Sequence, residues 1–318
     1  MSDERSPAAT LRSLADRPEE ASNLAATIIQ GNHTKDVLRA ALKVLAEYPN
    51  YAARPALITL YTRSGRDKGK HDQGGYLRAA ILKALQPVAR REDVELLVRA
   101  CETYEYWPPD FAEDAVLIRS AGLVALADLD DEAARYQAAR VLVDPLVARM
   151  TGEPAVTAAR VLGALGETLP LYALACQNVP SEGSSATCLP EVTAECLRQL
   201  TGIPAGIVER LLEQYAATTS SILRMGLFDL LLNHRDGPLG RPHVTRFLDE
   251  TTDTDIYRYL VMSIVVAGHD EPLDDLRRAA YREQRRAKRE VLLEAATILA
   301  HRPEFAELVE YLKRPARR

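Results

Sequence analysis

The sequence predicts an all-α protein, an α-α superhelix of about eight helix pairs built from stacked repeats. Three observations lead there. A short apolar pattern restarts at Val37, Leu77, Ile118, Thr157, Val192, Leu223, Tyr257 and Val291, at intervals of 31 to 41 residues. In every copy, apolar residues fall four, five and eight positions after the anchor, with Gly122 and the anchor Thr157 as the exceptions. That spacing marks one face of a helix, whereas a strand would alternate by two. Between the copies lie second helical patterns, so each period reads as a helix, a turn and a helix. The expected result is one elongated α-solenoid, its core a long strip rather than a ball.

Taken in order, residues 1–16 are polar and alanine-rich. They are expected to be disordered or to form a weak capping helix, leaving 17–318 as a single array. The copies starting at Val37, Leu77 and Ile118 alternate with second helices around Pro55–Tyr61 and Val94–Ala100. Within Val141–Met150, Asp144-Pro145 predicts a break into two short helices, with Asp144 as a cap. Later second helices are read at Ile207–Leu212, Val244–Leu248, Leu273–Tyr281 and Phe305–Leu312. Pro190, Pro272 and Pro303 stand at helix starts, where a missing N–H costs little. Three connections are long: TRSGRDKGKHDQGG over Thr62–Gly75, ETYEYWPPDFAED over Glu102–Asp114, and QNVPSEGSSATCLP over Gln177–Pro190. Long insertions in a scaffold of short turns are where function tends to sit, and they are also cheap to tolerate.

Composition excludes several classes. The 318 residues are 47% hydrophobic but only 6% aromatic, so alanine and leucine fill the core. With 40 basic and 45 acidic residues, the net charge of −5 is unlike that of a general nucleic-acid binder. Cys101, Cys176, Cys188 and Cys196 are too few and too unevenly spaced for a disulfide framework. The start MSDERSPAAT carries no apolar signal region, and the longest nearly apolar run, Leu260–Ala267, is too short to span a bilayer. A cytoplasmic protein without membrane contact is expected.

The segments Leu77–Leu85, Ile118–Leu126 and Thr157–Gly166 resemble the second helix of HEAT (armadillo-like) repeats, and the resemblance spans about residues 35–313. Units of that family often carry an Asp and an Arg that form a ladder between repeats. Here Asp36 precedes Arg39 and Asp255 precedes Arg258, while Arg78, Arg119 and Arg224 match the arginine without that aspartate. The resemblance implies that the second helix of each pair lines a concave face. The residues it would expose there are Lys43, Lys83, Arg160, Arg198, Asp229 and Tyr259.

No enzyme motif is present. The six histidines form no HExxH and no His-Glu pair, the cysteines no CxxC, and there is no Gly-rich phosphate loop or nucleophile elbow. No catalytic residue, metal ligand or cofactor is therefore expected. Two insertions supply binding candidates. Arg63, Arg66, Lys68 and Lys70 lie among glycines, a flexible basic loop that would grip phosphate or merely stay solvated. Tyr104, Tyr106, Trp107 and Phe111 crowd a loop broken by Pro108-Pro109. Exposed rings anchor partners, and buried ones cover a helix pair. The basic run from Arg277 to Arg289 is interleaved with acids and reads as a solvated, partly paired face.

The function expected is a non-catalytic interaction scaffold for a protein or peptide. The alternative implied by the resemblance is a nucleic-acid-binding or DNA-repair protein like the HEAT-like alkylpurine glycosylases. It would use Trp107 with Glu105 or Asp110, and the acidic balance disfavours it.

Overall fold

The computed structural model describes residues 6–66, 72–109, 112–177, 189–235 and 237–314. These fold into two units, Met1–Glu167 and Thr168–Arg318. The first unit holds α1 (Pro7–Ser13), α2 (Pro18–Ile28), α3 (Lys35–Glu47), α4 (Arg54–Ser64), α5 (Tyr76–Leu85), α6 (Val94–Cys101), α7 (Val116–Ala127), α8 (Asp131–Leu142) and α9 (Ala155–Ala164). The second holds α10 (Thr168–Gln177), α11 (Pro190–Gln199), α12 (Ala205–Tyr215), α13 (Ser221–Asn233), α14 (Arg241–Glu250), α15 (Thr254–Ala267), α16 (Asp270–Arg282), α17 (Arg286–Ile298) and α18 (Pro303–Lys313). The sheet among the described residues is a minimal antiparallel hairpin, β1 (Tyr106–Trp107) paired with β2 (Ala112–Glu113).

All eight anchors lie in odd-numbered helices, α3 to α17. In the first unit α3 packs on α5, α5 on α7 and α7 on α9; in the second, α11 packs on α13, α13 on α15 and α15 on α17. The positions four and five after the anchor form the seam: Ala41, Leu42, Ile81, Leu82 and Leu123 are buried in one unit, Cys196, Leu197, Leu227 and Phe228 in the other. Even helices back this row, with α6 on α8, α14 on α16 and α16 on α18.

The two exceptions to the apolar pattern have physical causes. A Cβ on Gly122 of α7 would sit 2.8 Å from the Ala100 Cβ of α6, so only glycine allows that approach. Thr157 donates its hydroxyl to Glu153 Oε2 at 2.6 Å, and Ser120 donates to the same oxygen at 2.9 Å. A polar side chain is tolerated in the stripe because its hydrogen bond is made.

The N-terminal segment is helical over Pro7–Ser13, started by the Ser6 side chain accepting from Ala9 N, and Leu11 joins the core of the first unit. Three sequence expectations change. The stretch after Asp144-Pro145 does not form a second short helix. Asp144 Oδ1 instead accepts from Leu146 N at 2.8 Å, and the Leu146 carbonyl is taken by Arg119 Nη2 at 2.8 Å. These contacts hold the segment in a turn that proline already favours. Helix α8 lay outside the apolar pattern because it buries small alanines, Ala134 and Ala138, beside Val141 and Leu142. The second insertion, a proline-broken loop by its sequence, pairs Tyr106–Trp107 with Ala112–Glu113 as the hairpin.

Candidate binding surface

In each unit the packed row of odd helices leaves the position six after the anchor unburied or half-buried, with one instructive exception. In the first unit it holds Lys43 on α3, Lys83 on α5 and Val124 on α7, all exposed. Arg160 on α9, three positions after its anchor, is exposed as well. In the second unit the same position holds Arg198 on α11 and Asp229 on α13, and here the helices bring predicted residues into contact.

Arg198 Nε donates to Asp229 Oδ2 at 2.7 Å, and Tyr259 of α15 donates its hydroxyl to the same oxygen at 2.6 Å. Arg198 Nη1 donates to Glu195 Oε2 at 2.5 Å, and Gln199 Nε2 donates to Glu195 Oε1 at 2.8 Å. Asp229 and Glu195 are buried, while Arg198 and Tyr259 are half-exposed. Burial opposes the Arg198 charge, but Asp229 and then Glu195 more than offset it and hold its pKa above the usual arginine value. Burial and the hydrogen bond to Asp229 raise the Tyr259 phenol. The sequence treated Asp229 as exposed. It is buried because α11 and α13 approach closely: a Cβ on Gly226 would lie 2.6 Å from the Ala194 carbonyl oxygen. The patch therefore presents a fixed guanidinium and a phenol ring over buried carboxylates.

The aromatic insertion divides by role. Tyr104 faces inward. Its hydroxyl donates to Asp144 Oδ2 and accepts from Arg140 Nη1 at 2.7 Å, and the Arg119 guanidinium stacks 4.4 Å from its ring centroid. Tyr106 is 50% exposed. Trp107 is half-buried, with its indole N–H buried and, among the described residues, unpartnered. Phe111 lies outside the described residues.

Two acids of this insertion, Glu105 and Glu113, are counter-ions of buried Arg78 and Arg119. Glu105 takes both Nη atoms of buried Arg78 at 2.6 Å each, and Asp72 Oδ2 takes its Nε at 3.0 Å. Glu113 takes Arg119 Nη1 at 2.7 Å and Nη2 at 2.9 Å, and the Thr103 carbonyl accepts from Nη1 at 3.0 Å. Arg119 is fully buried. The hairpin is thus clamped to α5 and α7 by two buried bidentate pairs, a geometry that arginine suits and lysine does not.

Arg63 closes the last turn of α4 and Arg66 follows it, both exposed; Lys68 and Lys70 lie outside the described residues. The basic run of α16 and α17 is mostly paired: Arg277 with Asp274, Arg278 with Asp275, Arg282 with Asp249, and Arg286 with Glu290. Arg258 pairs with Glu294 across α15 and α17 rather than with Asp255. Among the described residues no group of His, Cys, Asp and Glu is placed to hold a metal ion, and no helix is long and apolar enough to cross a membrane.

Sequence reasoning missed a basic cavity formed by Arg224, His243 and Arg246. His243 and Arg246 are three apart on one helix, but Arg224 comes from another, so no local motif signals it. No protein-family model matches the chain, and no curated protein matches it.

Proposed function

We propose that the protein is a non-catalytic interaction scaffold of the HEAT-like solenoid type, acting in the cytoplasm on a protein or peptide partner. The side-by-side packing of equivalent helices within each unit supports the repeat reading. The observation that carries the binding role is the Arg198–Asp229–Tyr259 patch. Three successive equivalent helices each give one polar side chain to it, with Arg198 and Tyr259 half-exposed above buried Asp229. A guanidinium held by buried carboxylates loses little further freedom on binding, and arginine and tyrosine dominate binding hot spots. Lys43, Lys83 and Arg160 add exposed basic side chains along the first unit, where Tyr106 and Trp107 add ring surface on a clamped hairpin. The acids that a glycosylase reading would pair with Trp107 include Glu105, whose two oxygens are taken by Arg78.

Affinity capture from the native host tests this with two double variants, Arg198→Ala/Tyr259→Ala and Tyr106→Ala/Trp107→Ala. A partner held by the wild type and lost by either variant, with helical circular dichroism unchanged, is the expected result. Each hot-spot residue removed is expected to weaken binding by about 2 kcal/mol. Tight DNA binding that falls steeply with salt, or base release from alkylated DNA, would replace the scaffold reading with the nucleic-acid one.

A further inference from the structure

A cavity of about 550 Å³ opens in the second unit between the end of α12, α13, α14 and the start of α15. Arg224 enters it from α13, and His243 and Arg246 from α14. Arg224 is positioned, among the described residues, without a carboxylate: it donates to the Thr218 carbonyl and lies 5.4 Å from the Phe247 ring centroid. Arg246 is exposed and, among the described residues, pairs with no acid. This sets the two apart from Arg54, Arg78, Arg119, Arg198 and Arg241, each of which has a carboxylate partner. His243 is half-buried, its ring 6.1 Å from that of Phe228.

The acids nearby are Glu250, on α14, and Asp253, at the start of α15. Asp253 Oδ1 is engaged in capping α15, accepting from Asp255 N and Ile256 N at 3.1 Å each. Ala216 and Ala217 supply the α12 side and add no charge. Burial first, and then the charges of Arg246 and Arg224, hold the His243 imidazole below its ordinary value. The chemistry that would relieve this crowding is a compact anion of high charge. Planar guanidinium forks match phosphate oxygens, and a protonated imidazole donates from either nitrogen.

We propose that this cavity binds a phosphate monoester dianion, gripped by Arg224 and Arg246, with His243 donating a third hydrogen bond. None of the residues lining this cavity belongs to the Arg198–Asp229–Tyr259 patch.

The test follows the histidine ring signals of the full chain by NMR during pH titration, in inorganic phosphate and in chloride of matched ionic strength. Phosphate is expected to raise the titration midpoint of His243, while exposed His33 and His301 serve as controls. In Arg246→Ala, an exposed position whose loss spares the core, two changes are expected. The midpoint without phosphate rises, because one repelling charge is gone. Phosphate affinity falls roughly tenfold or more, the worth of one charge-assisted hydrogen bond. An equal shift in chloride, or unchanged phosphate affinity in Arg246→Ala, would overturn the proposal. A phosphoserine peptide that acts at lower concentration than inorganic phosphate identifies the source as a modified chain, and the reverse order identifies a small phosphorylated molecule.

Discussion

At the scale of single residues, the sharpest consequences come from buried charge. Arg78 and Arg119 are desolvated and each is neutralised by carboxylates from an insertion. Removing Glu113 leaves Arg119 buried without a carboxylate, at a cost of about 3–5 kcal/mol, whereas Arg78 without Glu105 keeps Asp72 and loses less. Glu113→Ala is therefore expected to lower urea stability by roughly that amount, and Glu105→Ala by a smaller step. A midpoint unchanged in both would mean that the clamps do not form. Acid stability follows from the other pairs. Burial alone would raise the carboxyls of Asp93, Asp275 and Glu283, but Arg54, Arg241 with Arg278, and Arg285 respectively reverse it and hold them below their ordinary values. The unfolded chain thus takes up their protons first on acidification. Their contribution is complete above the ordinary carboxylate range of about 4 and is lost as pH falls through the lower folded values. Asp275→Asn is expected to flatten the acid side of the stability curve, measured by urea unfolding at stepped pH. The Cys101 thiol, pushed by burial up to about 12, is expected to resist alkylation in the native protein and to react only after denaturation.

Between elements, close approach and side-chain volume decide the outcome. Leu126 of α7 is fully buried, and Leu126→Ala is expected to cost about 2–5 kcal/mol. Gly226→Ala would press a methyl against the Ala194 backbone and is expected to cost about 1–3 kcal/mol by overpacking α11 and α13. Both are measurable by chemical denaturation, and a neutral Gly226→Ala would show that the two helices can part without penalty. Equivalent helices were easy to find because leucine, isoleucine and valine recur at helical spacing. Helix α8 was not, because an alanine face against tightly spaced neighbours carries little apolar signal. The hairpin was also invisible, since two-residue strands have no periodicity and owe their position to the arginine clamps.

For the whole molecule, the expectation is a strongly helical far-ultraviolet circular dichroism spectrum. Damage within a unit is expected to stay near its origin. In Leu82→Ala, hydrogen exchange should rise in α3, α5 and α7, the helix itself and its direct neighbours, before α9. Uniform loss of protection through all of these helices would mean that the unit melts as one block rather than as local layers.

The sequence by itself determined the helical class, the eight equivalent helices and the polar positions left between them, because these depend on apolar spacing along a single element. It also placed Arg198, Asp229 and Tyr259 among the residues to watch. Only the tertiary structure decided that the three share one hydrogen-bonded patch, that Asp229 is buried, and that Tyr104 is a strut while Tyr106 is exposed. It alone joined Arg224 to His243 and Arg246. These outcomes depend on which helices meet and how closely. That is set by the summed packing of many side chains, and no single segment records it.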